Sequence, residues 1–436
     1  MKKHLFLTRS ISVVLATIIL LACGCQKKET GDVDKSPSAV SPTETVTPEP
    51  EKPIQDVLAS LGEIEFTKAK NVILFIGDGM GVNHIDATKA ILNAGYDGKL
   101  AMEYLPNQGN SITVCVEGEP DSASGGTALA TGYKSKRKYL GMDAKLNEVQ
   151  NVVELAMSLG KKAGVVTNES IVDATPAAFT IHAPNRDDES NIAKLQIEHC
   201  PDLIMGGGKA MYDKALADDP TYKDKMTANG ITWATSWEQV EAFESGKLIA
   251  TLTDDLFERV EEAKPTLAEM TTKAIELLSD DEDGFFLMVE GGAMDESAHS
   301  GDVIETCRQM VSFDEAVSIG IRYAADHPDT VVIVTADHDT GGLNTIDLAN
   351  AHITASGNRD YHINELLKYE AELQKEYPDI ILADLPYRFT TIAHTNSNVE
   401  VFAIGYGTEM FNGARVPSYK IGKFIGETLG AESFGQ

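Results

Sequence analysis

The chain has few basic residues, few cysteines and no long apolar run. Its 436 residues include 37 Lys and Arg against 67 Asp and Glu, which gives a formal net charge of −30. Such a surface repels nucleic acid and anionic lipid at long range. We therefore expect no nucleic-acid partner. A phosphate ligand would need local positive charge from an arginine or from metal ions.

The cysteines are as informative by their spacing as by their number. Five are present and none forms a CxxC pair, so the sequence predicts no zinc site made of thiolates. Cys115, Cys200 and Cys307 are an odd, widely spaced set, and the sequence leaves open whether two of them pair. There is also no internal repeat and no glycine-rich nucleotide fingerprint. The apolar content of 42% is nevertheless ample for a large core.

The N-terminus carries the pattern of an export signal. Lys2 and Lys3 precede an apolar stretch, 11–22, which has the length of a secretory h-region and is too short to span a bilayer. The stretch ends in Leu20-Leu21-Ala22-Cys23, which resembles a bacterial lipoprotein signal. We predict a signal peptide at 1–22, cleavage before Cys23 and lipid on its sulfur. An ordinary signal peptide or an uncleaved anchor is the alternative.

The segment 23–53 differs from the rest of the chain. It is rich in Glu, Thr, Ser, Pro and Lys and holds almost nothing large and apolar, so it cannot offset its own ordering entropy. We predict a disordered tether here and one catalytic domain at 54–436. The expected location is outside the cytoplasmic membrane, with the lipid anchor as the only contact with it.

Four apolar runs in the predicted domain share one form. They lie at 72–76, 163–167, 285–289 and 330–335, and each leads towards a loop with acids or histidines. Continuous apolar runs are typical of parallel strands covered on both faces. Helical patterns lie between them, one of which starts with a capping box at Thr266. The sequence predicts an α/β fold with a doubly wound, mostly parallel central sheet flanked by helices.

Two polar, irregular stretches fit this alternation poorly. They cover 206–265 and 343–387. We expect peripheral insertions there that shape access to a site. Ligands of doubly wound sheets bind outside the carboxyl ends of the strands, which is where the acids and histidines fall.

These acids and histidines have metal-ligand character. Most follow one of the apolar runs directly, and the last follows a strand-like segment at 389–393. In chain order they are Asp78, Glu290, Asp295, His299, Asp337, His338 and His394. Imidazole with carboxylate suits zinc, whereas an all-oxygen group suits magnesium. The set therefore divides into two nitrogen-containing sites and one oxygen-only site.

A run of small residues at 119–132 places Ser122 at the start of a helix. A serine there is often only a helix cap. Near the helix N-terminus, however, its oxygen would lie beside free N–H groups and the positive end of the helix dipole. A serine hydroxyl needs a base or a metal to become a nucleophile, and no Ser-His-Asp pattern is visible. Coordination to zinc would supply that activation.

Asp173 opens the motif Asp-Ala-Thr-Pro-Ala-Ala at 173–178, which is followed by His182 and Arg186. A guanidinium near a serine and metals suits bidentate contact with two phosphate oxygens. We expect His182 to be structural and not a ligand.

Three motifs together resemble the alkaline phosphatase family. They are Asp-Ser-Ala-x-x-x-Thr-Ala-x-Ala-Thr-Gly at 121–132, the motif at 173–178, and Thr-Ala-Asp-His at 335–338. The resemblance runs from residue 71 almost to the C-terminus. It implies hydrolysis of small phosphate monoesters in two in-line displacements through a phosphoserine. It also implies two Zn²⁺ and one Mg²⁺ as cofactors, and a homodimer would be in keeping with the family.

The resemblance also implies a role for each candidate residue. Ser122 corresponds to the nucleophile and Arg186 to the residue that binds the phosphoryl group. One zinc would be held by Asp295, His299 and His394. The second would be held by Asp78, Asp337 and His338, together with the Ser122 oxygen. Magnesium would be held by Asp78, Thr175 and Glu290.

The chain departs from the family after Asp295. Relatives commonly carry Lys or His there, whereas this chain has Glu296, which the motifs pair with Asp173. Two extra acids near the oxygen-only site would favour a bound cation and weaken phosphate retention. We therefore expect altered magnesium dependence.

Other activities and another class of protein remain as alternatives. A phosphodiesterase on the same fold is the closest, although Arg186 favours a terminal phosphate. The residues after Ser122 lack the Cys/Ser-x-Pro-x-Arg context of a sulfatase. A surface adhesion lipoprotein that binds metals only to hold its fold is less compatible with a complete set of nucleophile, arginine and ligands.

Overall fold

The computed structural model describes residues 52–257, 259–345 and 359–435. The predicted signal peptide, Cys23 and all but the last two residues of the predicted tether lie outside the described residues. Within the ranges described, no helix combines the length and the apolar character that a membrane span requires.

A ten-stranded sheet forms the centre of the fold, in the order β12-β2-β11-β8-β1-β7-β3-β4-β6-β5. All pairings are parallel except those of β11 with β8 and β2. A separate two-stranded ribbon joins β9 and β10. The strands are β1 Asn71–Gly77, β2 Asn107–Ile112, β3 Lys162–Ser170, β4 Leu203–Gly207, β5 Ile231–Ala234, β6 Lys247–Thr251, β7 Phe285–Gly291, β8 Thr330–Thr335, β9 Asp339–Thr340, β10 His394–Thr395, β11 Val399–Ile404 and β12 Arg415–Pro417.

Helices connect the strands and cover the sheet. They are α1 Ile54–Ser60, α2 Val82–Leu92, α3 Ser122–Thr131, α4 Val152–Ser158, α5 Ala174–Thr180, α6 Glu189–Glu198, α7 Lys209–Asp218, α8 Thr221–Ala228, α9 Trp237–Glu241, α10 Leu267–Leu278, α11 Ala293–His299, α12 Val303–Asp326, α13 Arg359–Glu376 and α14 Ser418–Leu429. The predicted capping box is present, because the Thr266 hydroxyl accepts from the backbone N–H of Glu269 and the Glu269 carboxylate accepts from that of Thr266.

The two faces of the sheet belong to different apolar clusters. In β1, Ile73 and Phe75 pack in a cluster with α10 and α12, whereas Val72, Leu74 and Ile76 pack with α4 and α14. All five side chains are fully buried, which explains why the strand is a continuous apolar run. The doubly wound sheet predicted from the sequence is confirmed.

The sheet brings the ends of several strands to one edge. Strands β8, β1, β7 and β3 are consecutive neighbours and all parallel, so their carboxyl ends lie side by side. Asp78 follows β1, Glu290 lies near the end of β7, and Asp337 follows β8. Segments far apart in the chain therefore converge on one site.

The prediction that residues 206–265 form an irregular peripheral insertion is wrong in part. The stretch 206–265 includes the end of β4 and all of β5 and β6, which extend the central sheet at one edge. Leu248, Ile249 and Ala250 are fully buried. This apolar run is only three residues long, and the polar helices around it obscured the strand. In the second stretch, 343–387, residues 346–358 lie outside the described part, and α13 follows them.

The strand expected at 389–393 is also absent, and only His394 and Thr395 form the short β10. The backbone N–H groups of Thr390 and Thr391 both donate to the carbonyl of Gly341, which holds this segment in a bend. A run of β-branched residues favours a strand only where a neighbouring strand can pair with it.

The described cysteines are free thiols. Cys115, Cys200 and Cys307 are all buried and unbridged. Burial raises the pKa of Cys200 and Cys307 to about 12, so both are protonated and unreactive at neutral pH.

Candidate active site

Ser122 is the first residue of α3 and is 2% exposed. Asp121, not Ser122, caps this helix, because its carboxylate accepts from the backbone N–H of Ser124 at 2.9 Å. The serine is therefore not needed as a cap. Its Oγ lies 3.2 Å from Nε2 of His338. The motif at 121–132 thus places a hydroxyl beside one of the candidate metal ligands.

The first group of candidate ligands is Asp295, His299 and His394, whose ligand atoms all lie within 4.8 Å of one another. The Nε2 atoms of the two histidines are 3.0 Å apart, and Oδ2 of Asp295 is 3.1 Å from Nε2 of His299. Each Nδ1 faces a backbone carbonyl, that of Ile392 or Pro120. If each Nδ1 carries the proton, two nitrogen lone pairs face each other, an arrangement that suits a shared cation.

The second group contains Asp78, Asp295 and His338. Asp337 adjoins it, because its Oδ2 lies 3.2 Å from Nε2 of His338. Oδ1 of Asp78 and Oδ2 of Asp337 are buried and have no hydrogen-bond partner. Buried polar atoms are rarely left unpaired, so these oxygens suit a metal ion as well. Asp295 is common to both groups, which the sequence did not indicate.

The predicted oxygen-only group consists of Asp78, Thr175 and Glu290. The hydroxyl of Thr175 donates to Oδ2 of Asp78 at 3.2 Å. Glu290 accepts from Thr167 through one carboxylate oxygen, and its other oxygen, Oε1, is buried without a hydrogen-bond partner. The three residues are at most 3% exposed. An all-oxygen group of this kind matches the ligands that Mg²⁺ prefers.

The electrostatics of the cluster also fit cations. Burial and the neighbouring Asp295 raise the pKa of Asp337 to about 8. Burial, opposed in part by the hydrogen bond from Thr167, raises the pKa of Glu290 to about 8, and burial with Asp337 raises that of Asp78 well above its usual value. A divalent cation reverses such shifts because it favours the ionised carboxylate. The residues present therefore fit the metal ions that the resemblance implies.

Arg186 supplies the positive side chain of the site. Its Nη2 donates to Oδ1 of Asp173 at 2.8 Å. Burial alone would lower the pKa of Arg186, but Asp173 and Asp121 outweigh it, and the guanidinium stays charged. The cavity beside it is lined by Asp78, Ser122, Glu169, Asp173, Arg186, Gly292, Asp295 and Glu296. Ser122, Arg186 and the two acids Asp173 and Glu296 thus line one cavity.

Two residues near the site were missed by the sequence analysis. Glu169 lines the cavity, and burial together with Asp173 raises its pKa well above the usual value. Thr340 donates a hydrogen bond to Asp295. Neither belongs to a recognisable pattern; their only signal is closeness in sequence to Asp173 and His338. His182 lies outside the cluster, between the Gly141 carbonyl and Glu154, in a structural role as expected.

Taken together, the fold and the site define a class of hydrolase. A buried serine, an arginine and clustered metal-ligand side chains lie at the carboxyl edge of a doubly wound sheet. A sequence model of the alkaline phosphatase family matches residues 69–244 and 243–426. The chain belongs to the alkaline phosphatase family and is an enzyme, a phosphoric monoester hydrolase.

Individual relatives agree with this assignment. Alkaline phosphatase 4 of Bacillus subtilis is 30% identical over 331 residues, which are 71% of this chain and 68% of the relative. Streptomycin-6-phosphate phosphatase of Streptomyces griseus is 32% identical over 62% of this chain and 73% of its own length. The alkaline phosphatase of the Antarctic bacterium TAB5 has a TM-score of 0.69 and 28% identity, over 84% of this chain and 98% of that one.

Proposed function

We propose that this enzyme hydrolyses phosphate monoesters through a phosphoserine at Ser122, with two Zn²⁺ and one Mg²⁺ as cofactors. The observation that carries the proposal is the position of the Ser122 hydroxyl, 3.2 Å from His338 and in the same cavity as Asp78, Asp295 and Arg186. The solved structure of a variant of the TAB5 alkaline phosphatase has Mg bound in a site that is called M3. Small phosphate monoesters are the proposed substrates.

The ligands would divide among three ions. Asp295, His299 and His394 would hold one zinc, and Asp78, Asp337 and His338 the other, with the Ser122 oxygen added to the second group. Asp78, Thr175 and Glu290 would hold magnesium. When bound, such cations lower the pKa of a coordinated hydroxyl and stabilise developing charge on an oxygen.

The protein's own residues account for positioning. The Arg186 guanidinium would bind two phosphoryl oxygens, and its hydrogen bond to Asp173 orients it. Ser122 would lose its proton and attack phosphorus, so that an O–P bond forms while the bond to the leaving alcohol breaks. The alcohol departs with a proton. Water then attacks the same phosphorus, the Ser122 O–P bond breaks, and the serine hydroxyl is restored with release of inorganic phosphate.

The test compares p-nitrophenyl phosphate with bis-p-nitrophenyl phosphate. We expect rapid turnover of the monoester only, loss of activity in EDTA and recovery with Zn²⁺ plus Mg²⁺. Ser122→Ala should lower kcat by at least about 10³-fold, because removal of a nucleophile leaves only binding and charge stabilisation. The control is Ser158→Ala, whose hydroxyl bonds only to the Leu155 carbonyl.

Mass spectrometry of an acid-quenched reaction should find a phosphoryl group on the peptide that contains Ser122. Faster turnover of the diester would favour a phosphodiesterase instead. An enzyme that is fully active after Ser122→Ala, or that shows no dependence on metal, would overturn the proposal.

We further propose that the enzyme is a lipoprotein, held outside the cytoplasmic membrane by lipid on Cys23. The support is the sequence alone: an h-region of the right length and the segment Leu20-Leu21-Ala22-Cys23. The polar segment that follows would keep the catalytic domain at a distance from the lipid surface.

A further inference from the structure

Thr340 lies between the two groups of candidate zinc ligands. Its side chain is fully buried, and its hydroxyl donates to Oδ1 of Asp295. The same Oγ1 lies 3.2 Å from Nδ1 of His338. One hydroxyl thus contacts a ligand from each group.

The number of protons determines the direction of both hydrogen bonds. A threonine hydroxyl has one proton, so it can donate only one hydrogen bond at a time. In the contact with Asp295 the Thr340 hydroxyl is the donor and Oδ1 is the acceptor. The Thr340 proton therefore points to Asp295, and Oγ1 accepts from Nδ1–H of His338.

This arrangement selects one tautomer of His338. With the proton on Nδ1, the lone pair on Nε2 is free on the side of the ring that faces the reaction site. Nε2 is the atom that lies 3.2 Å from Ser122 Oγ and 3.4 Å from Oδ1 of Asp78. In the opposite tautomer, Nε2 of His338 would carry a proton. It would then have no lone pair with which to bind a metal ion or to accept the Ser122 proton.

The Thr340 hydroxyl also gives the two oxygens of the Asp295 carboxylate different partners. Oδ1 accepts from Thr340, which leaves Oδ2 directed at the histidines, 3.1 Å from Nε2 of His299 and 3.9 Å from Nε2 of His394. The carboxylate cannot rotate without breaking the Thr340 bond.

The backbone holds Thr340 rigidly in this place. Its N–H donates to the Gly79 carbonyl at 3.0 Å, and it is paired with His394 in the β9–β10 ribbon. Gly79 has φ +67°, and a Cβ there would lie 2.5 Å from Oδ1 of Asp295 and 2.8 Å from Oγ1 of Thr340. Only glycine leaves room for this hydrogen bond.

We propose that Thr340 is a positioning residue that fixes the His338 tautomer and the Asp295 carboxylate, and so couples the two zinc groups. The inference rests on the proposed zinc sites. Thr340 is not among the residues that line the cavity beside Ser122, so it would act through the two ligands that it holds.

The experiment uses the full chain with three substitutions. Thr340→Val removes the hydroxyl at almost constant shape, and Thr340→Ser retains it. Thr271→Val is the matched control, because Thr271 is also fully buried but bonds only to the Leu267 carbonyl within α10. Zn²⁺ affinity is measured by competition with a chromophoric chelator, so the readout does not require turnover.

We expect Thr340→Val to weaken zinc binding by roughly 10- to 100-fold, the usual effect of losing a partner that orients a ligand. Its kcat should fall with little change in KM. Thr340→Ser should restore most of the affinity, and Thr271→Val should match the wild type. Wild-type zinc affinity in Thr340→Val would overturn the proposal.

A second measurement needs no variant. Nitrogen NMR of the ¹⁵N-histidine-labelled, zinc-free wild type should show the His338 proton on Nδ1, and a proton on Nε2 would contradict the proposal even if Thr340→Val failed to fold. If the wild type hydrolysed no phosphate ester, the proposed function would fail, while zinc affinity and tautomer would still decide the role of Thr340.

Discussion

Three carboxylates in this site each have one oxygen without a hydrogen-bond partner. Oδ1 of Asp78, Oε1 of Glu290 and Oδ2 of Asp337 are buried without hydrogen-bond partners. An unpaired buried acceptor costs about 1 to 3 kcal/mol, and more when it is charged. Three such atoms among the candidate metal ligands are difficult to explain by folding alone. They are explained if the site is built to hold cations, which is what the proposed activation of Ser122 requires.

Glu296 offers a direct test of the balance of charge in the cavity. Burial and the neighbouring Asp295 raise its pKa, and Asp173 and Glu169 line the same cavity. Glu296→Lys would place a positive charge among these acids. We expect a lower magnesium requirement and stronger product inhibition by inorganic phosphate, by roughly tenfold, or about 1.4 kcal/mol.

The measurements are activity as a function of free Mg²⁺ and the inhibition constant for phosphate. Glu372→Lys on the exposed surface of α13 is the control for overall charge. If both variants behave like the wild type, Glu296 has no influence on the magnesium site.

The sequence predicted which residues are candidate metal ligands better than it predicted which ligand two groups share. It indicated the histidines and acids because each stands at a strand end beside a motif. It did not show that Asp295 belongs to both ligand groups, nor that Thr340 and Glu169 adjoin them. Such contacts depend on the direction of side chains after folding. Neither Thr340 nor Glu169 lies in a sequence motif that would have indicated the contact.

At the scale of elements, long apolar strands were predictable and short ones were not. Strands β1, β7 and β8 are buried along their whole length, so their sequences carry a continuous signal. β6 has only a brief apolar run between polar helices, and β5 is buried only at its two end residues. The error at residues 389–393 was the opposite one. Their β propensity predicted a strand, but the structure pairs no neighbouring strand with them.

The fit of α3 against the loop after β8 provides the element-scale prediction. A Cβ on Gly125 would lie 2.7 Å from the Asp337 carbonyl oxygen, and this backbone atom cannot rotate away. Gly125→Ala should therefore displace α3 and carry Ser122 with it. We expect kcat to fall by at least about tenfold, because small misplacements of reacting groups are costly.

Gly62→Ala is the matched control, since a Cβ there meets nothing within 4 Å. Kinetics and thermal unfolding of both variants separate misplacement from loss of fold. Wild-type kcat in Gly125→Ala would show that α3 and its serine tolerate displacement.

The whole molecule combines an acidic exterior with a site for phosphate esters. A formal charge of −30 repels anions at long range, so Arg186 and the proposed cations would have to supply the local attraction. The same repulsion disfavours direct adsorption to anionic lipid. Membrane attachment would then depend on the covalent anchor.

That dependence is testable with the two neighbouring cysteines. In a bacterial host, the full-length protein should incorporate labelled palmitate and sediment with membranes. Cys23→Ser should abolish both, whereas Cys25→Ser should leave both unchanged. Continued labelling of Cys23→Ser would show that the N-terminus is not a lipoprotein signal.

The convergence of strand ends has a consequence for biosynthesis. The site takes its side chains from segments that begin at Asp78 and end at His394, which lies on β10 near the end of the chain. A nascent polypeptide cannot complete the pocket until His394 has been synthesised and packed against His299. Fragments truncated before β10 would thus be hydrolytically silent, and a chain exported before it folds would acquire activity only after translocation.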